Sequence, residues 1–107
     1  MKGMPGGMQQ FIKQANQLQT RLTKLQEELG TREYQASSGG NAVMATVNGK
    51  NQIVSLKITD EVMKSGDAEM LQDLVMTAVN EALKTAKDTA ETETNKLTGG
   101  MSIPGLF

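Results

Sequence analysis

The residue pattern predicts an α+β fold in which a long helix, a three-stranded antiparallel sheet and a second long helix follow one another in one domain spanning residues 1–107. Three observations carry this reading. Met8, Phe11, Ala15, Leu18, Leu22, Leu25 and Leu29 recur at alternating spacings of three and four, a heptad stripe held over three repeats. Residues 42–58 alternate apolar and polar around Asn48-Gly49, a dipeptide suited to a tight hairpin. A second helical stripe, Met70, Leu71, Leu74, Val75, Ala78, Val79, Ala82, Leu83 and Ala86, begins just after Asp67, a residue type that caps helix N-termini.

Taken in order, residues 1–7 are punctuated by Gly and Pro, and they and residues 99–107 are expected to be flexible tails. The first helix should run from Met8 to Leu29, with Gly30 as its C-terminal cap. Arg32–Ala36 reads as an edge strand, closed by the loop Ser37–Asn41. Ala42–Val47 is a strand burying Val43, Ala45 and Val47 on one face. The return strand Gln52–Ile58 should bury Val54, Leu56 and Ile58, with Ile53 out of phase and marking a bulge or a second buried face. Asp60–Lys64 can form a single helical turn. The last helix extends to about Leu97 and ends at Thr98-Gly99-Gly100. Its Ala78, Ala82, Ala86, Ala90 row suits close approach, either to another helix or to the sheet.

Composition narrows the function. The chain has no Cys and no His, which removes thiolate nucleophiles, disulfides, the commonest metal ligand and the commonest neutral-pH general base. The acid pairs Glu27/Glu28 and Glu91/Glu93 read as solvated faces. A phosphate-loop reading of Gly49-Lys50 fails because Met44 and Asn51 stand where Gly and Ser/Thr are needed. No catalytic residue, metal ligand or cofactor is expected, and no small-molecule substrate. No apolar run reaches the ~20 residues of a membrane span, and the start lacks a signal-peptide core, so a cytoplasmic protein without a membrane partner is expected.

Aromatic residues are 3% of the chain, so the core must be aliphatic, and Met44, Met70 and Met76 are expected to fill its gaps. A seam from Leu18 to Leu29 left in water would expose more apolar surface than a monomer tolerates. The seam is therefore expected at a homodimer interface, through Leu18, Leu22, Leu25 and Leu29. The net charge of −1 is unevenly spread. Residues 1–26 hold Lys2, Lys13, Arg21 and Lys24 and no acid, whereas residues 27–107 hold seven bases and twelve acids. Two copies of the cationic segment would offer a polyanion eight charges.

The segment Gln10–Gln19, the hairpin Val43–Ile58 around Asn48-Gly49-Lys50, Glu69–Val75 with Ala78–Ala82, and the ending Thr98–Phe107 together resemble the YbaB/EbfC family. The resemblance spans nearly the whole chain in order. It implies a small bacterial protein that forms a tweezer-shaped homodimer, associates with the nucleoid, binds duplex DNA with weak sequence preference and affects DNA compaction and gene expression. Lys2, Lys13, Arg21 and Lys24 are then the expected phosphate contacts, with Gln and Asn of the same helix adding neutral hydrogen bonds. The alternative is a chaperone-like or scaffold dimer that grips a protein partner, suggested by overall acidity and the apolar tail residues Ile103, Leu106 and Phe107.

Overall fold

The computed structural model describes residues 6–99. Helix α1 (Gly6–Thr31) leads into strands β1 (Glu33–Ser38), β2 (Val43–Asn48) and β3 (Ile53–Ile58). A short helix α2 (Asp60–Lys64) and the long helix α3 (Ala68–Thr98) complete the order. The sheet is antiparallel throughout, in the order β1-β2-β3. The α+β architecture expected from the residue pattern is the one observed.

Helix α3 begins and ends as its residues dictate. The Asp67 carboxylate accepts from the Met70 backbone N–H at 3.0 Å, and Glu69 lies in the positive first turn. At the other end Gly99 adopts the left-handed conformation, φ 66°, that closes the last turn. Between these caps α3 lies across β1 and β2. The β2 side chains Val43, Ala45 and Val47 are fully buried beneath Ala78, Ala82 and Ala86, with Tyr34 from β1 completing the layer. The alanine row therefore faces the sheet, where its lack of bulk lets helix and strands approach closely. Leu71, Leu74, Val75, Val79 and Leu83 flank it, half-buried. The Ser38 hydroxyl donates to the Leu74 carbonyl at 2.6 Å and ties the end of β1 to the helix.

The hairpin forms where expected but not by the expected turn. Positive φ falls on Asn51, at 62°, and not on Gly49. Asn48 organises the loop instead: its side-chain oxygen accepts from the N–H groups of Lys50 (2.9 Å) and Gln52 (3.1 Å). Gly49 is needed for a different reason. A Cβ there would overlap the Leu29 carbonyl and crowd Gly30 Cα, because the turn rests directly on the backbone of α1. Gly30, expected as a C-cap, is a buried residue inside the last turn of α1. Its missing side chain leaves room for the Lys50 stem, which would lie 3.3 Å from a Cβ.

Strand β3 departs most from expectation. Thr46 pairs with Ser55 but Val47 with Ile53, so Val54 is an extra residue in a bulge, as the phase of Ile53 suggested. The strand is not buried, however. Ile53, Val54 and Leu56 are 56, 50 and 42% exposed, because α3 covers β1 and β2 and stops short of this edge. Met76, expected in the core, is also exposed.

Helices α1 and α3 run antiparallel. Arg21, Lys24, Leu25 and Glu28 face Glu93, Lys96 and Leu97, whereas Gln26, Leu29 and Gly30 lie further down α3, toward Asn80. Leu22 and Leu29 are 5% exposed in the single chain, and each such burial contributes about 1.5–3 kcal/mol. With Arg21 level with Leu97, the preceding turns of α1 extend beyond the end of α3 as an arm roughly 20 Å long at 1.5 Å per residue.

Candidate nucleic-acid interface

The arm is built from residues that favour helix and carry little else. From Gly6 to Gln26, the arm and the turns that follow it contain Lys13, Arg21 and Lys24 and no carboxylate. These three fall off the heptad stripe, and all are exposed. Lys13 and Arg21 share a shallow surface with Gln9, Asn16, Gln17 and Thr20. Lys24 shares the adjoining one with Asn16, Gln19, Thr20, Thr23 and Glu27, so the three cations border a continuous, largely polar face with one acid at its lower end. Lys2 lies outside the described residues.

The neutral groups on this face are sorted by local hydrogen bonding. The Thr20 and Thr23 hydroxyls donate back to the carbonyls of Asn16 and Gln19, both at 3.0 Å, and are thereby occupied. The exposed amides of Gln9, Gln10, Gln14, Gln17 and Gln19 are the groups left to meet a ligand. A surface of dispersed cations and primary amides can contact phosphate oxygens and donate to or accept from base edges. It offers no converging nucleophile or base.

Lys96 joins this surface from α3, in the groove it shares with Arg21 and Lys24. Its Nζ lies 3.9 Å from Glu93 Oε1 in an exposed i,i+3 pair, too solvated to hold it firmly. Lys96 was not among the residues singled out from the sequence. Its signal was its place in the last turn of α3, legible only once the two helices are known to run antiparallel. Lys84 and Lys87 border a separate groove with Asn51, Asn80 and Glu91, floored by Leu29, Leu83 and Ala86. There Glu91 offsets part of their charge.

Of the four leucines expected at a dimer interface, Leu22 and Leu29 are buried within the chain, on the flank of α1 that α3 covers. Leu18 and Leu25 are half-buried. Among the described residues, no cluster of His, Cys, Asp or Glu is placed to hold a metal ion, and no helix is long and apolar enough to cross a membrane.

Among the described residues, this helix–sheet–helix domain presents its cations along the exposed surface of a projecting helix. Comparison with known proteins gives the family. Residues 4–101 match the model of the YbaB/EbfC DNA-binding family, and the chain belongs to that family. It is 50% identical over 105 residues to a nucleoid-associated protein of Clostridium kluyveri, covering 98% of this chain and 92% of that one. It is 47% identical over 104 residues to a nucleoid-associated protein of Pelotomaculum thermopropionicum, covering 97% and 99% of the two chains. The fold is shared with an uncharacterized Helicobacter pylori protein of known crystal structure. There the TM-score is 0.72 at 23% identity, over 91% of this chain and all of that one.

Proposed function

We propose that this protein is a homodimer that binds duplex DNA in the bacterial nucleoid with weak sequence preference, contributing to nucleoid organisation and gene regulation. The observation that carries the reading is the run of α1 from Gly6 to Gln26, which holds no carboxylate and exposes Lys13, Arg21 and Lys24. Lys96 is added from α3, and Glu27, Glu28 and Glu93 are confined to the base of the run. Cations spread along a rod suit a ligand whose charge also repeats along a line. The nucleoid-associated relatives support the same reading and with it a cytoplasmic, nucleoid location.

The proposed dimer brings two arms together and doubles the charge. The surface offered for it is β3, an edge strand with unpaired backbone groups and with Ile53, Val54 and Leu56 exposed. A second copy would cover this edge, which otherwise invites unspecific pairing. Leu22 and Leu29 serve inside each chain and stiffen the arm.

A gel shift of the purified protein on unrelated duplexes, titrated with salt, tests the function. Binding to all duplexes that weakens steeply with salt is expected. No shift at low salt would point to a protein partner instead.

A further inference from the structure

Asn48 ends β2 with its polar atoms engaged in the turn. Its backbone N–H donates to the Gln52 carbonyl at 3.0 Å, and its carbonyl accepts from the Asn51 N–H at 3.1 Å. Its side-chain oxygen accepts from the N–H groups of Lys50 and Gln52, and its amide nitrogen donates to Gln52 Oε1 at 2.8 Å. Gly49 follows it, exposed, with no Cβ to shield its nitrogen.

An asparagine followed by glycine carries a reaction of its own. The glycine nitrogen attacks the side-chain carbonyl carbon Cγ, forming a C–N bond and giving up its proton. The Cγ–Nδ2 bond breaks, the amide nitrogen takes that proton, and ammonia leaves a succinimide ring. Water then opens the ring at either carbonyl, to aspartate or to isoaspartate. Water is the only co-reactant, and one amide becomes one carboxylate.

The hairpin acts on this reaction in two opposed ways. The N–H donors of Lys50 and Gln52, 2.9 and 3.1 Å from Oδ1, stand where they would hold the oxyanion of the attack. Asn48 is nevertheless paired with Glu33 in the β2 ladder. An extended residue carries its Cβ out of line with the next nitrogen, so Cγ reaches Gly49 only after the backbone rotates. That rotation breaks the ladder and the turn together, and the closed hairpin therefore protects.

We propose that the β2–β3 turn is a gated deamidation site, in which Asn48 is protected while the hairpin is closed and converts irreversibly to isoaspartate when it opens. The consequence falls on α1. Isoaspartate routes the main chain through its side-chain carbons and lengthens it by one atom just before Gly49. The turn has no room for even a methyl group against the Leu29 carbonyl. A longer main chain cannot regain that seat, so conversion would release the root of α1. The inference does not depend on which ligand the protein binds.

The test follows isoaspartate at position 48 by peptide mapping, in the folded full chain and in the same chain unfolded in guanidinium chloride. Conversion in the folded protein is expected to be measurable but about tenfold slower. Gln52→Ala removes the acceptor of the side-chain amide and is expected to speed folded-state conversion about fivefold, the equivalent of one hydrogen bond. Equal rates in folded and unfolded chains, a folded rate unmoved by Gln52→Ala, or no folded-state conversion long after the unfolded chain is fully converted would each overturn the proposal. The product gives a second measurement. The isoaspartate form, separated by its added negative charge, is expected to melt roughly 10–20 °C below the native protein. Asn48→Asp adds the same charge on an unaltered main chain and keeps the acceptor for Lys50 and Gln52, so it should melt close to the native protein. An isoaspartate form as stable as Asn48→Asp would also overturn the proposal.

Discussion

Gly49 sits against the backbone of Leu29 so closely that no side chain can be placed between them. The contact joins the tip of the β2–β3 hairpin to the last turns of α1, elements twenty residues apart, through main chain alone. Neither partner can relax as a long side chain would.

Gly49→Ala is therefore expected to destabilise the protein by about 2–3 kcal/mol, the upper part of the usual range for overpacking. In a domain of this size that lowers the melting temperature by roughly 10–20 °C. Thermal unfolding followed by circular dichroism measures it, and an unchanged melting temperature would mean that the hairpin and helix are not in backbone contact.

Tyr34 is buried, and its hydroxyl has no hydrogen-bond partner among the described residues. A buried hydroxyl without a partner costs free energy that a ring hydrogen does not. Tyr34→Phe is expected to leave stability unchanged or raise it by up to about 1 kcal/mol. Denaturant titration checks this, and a clear loss of stability would show that the hydroxyl is paired in solution.

For DNA, neutralising about four to six phosphates gives a slope of log K against log salt of roughly −4 to −5. Lys13→Gln, Arg21→Gln and Lys24→Gln together should preserve helix content, since Gln is a comparable helix former. They should flatten the slope by about one unit per lost contact. Lys96→Gln should add to that loss, while Lys84→Gln with Lys87→Gln should have a smaller effect. If the latter pair dominates, the binding surface lies on the other groove.

Leu56→Asp places a charge on the exposed face of β3 and removes nothing from the buried core. Sedimentation is expected to show a folded monomer. A dimer of unchanged affinity would move the interface away from β3, and the Leu18–Leu25 flank of α1 would be the next surface to test.

Local chemistry made much of this architecture readable. The start of α3 is set by one carboxylate three residues from the N–H it accepts, and its end by a glycine in the only region where a side chain is strained. The β2 pattern was legible because both strand neighbours and α3 reinforce one buried face. What could not be read were choices made by distant elements. Gly30 looks like a cap until the hairpin arrives beside it, and the same alternation in β3 would be a buried face if α3 were one strand wider. The leucines of α1 announce that they need a partner helix without saying which. Of the candidate site, the cations of α1 were visible as a run without acids, whereas Lys96 required the pairing of two helices seventy residues apart.

The backbone contact at Gly49 also acts as the root of a lever. Helix α1, of which the arm is the far part, is anchored by main chain at Leu29 and Gly30, and its first residue lies about 35 Å away at the helical rise. A tilt of about 10° at the root would carry the far end by roughly 6 Å, close to two base-pair steps of duplex DNA. In a two-armed dimer both roots would move together if the sheets are joined. The gauge of the jaws would then be set by a glycine that touches no ligand, and substitutions near the hairpin would alter which duplex width fits best without changing a single charge.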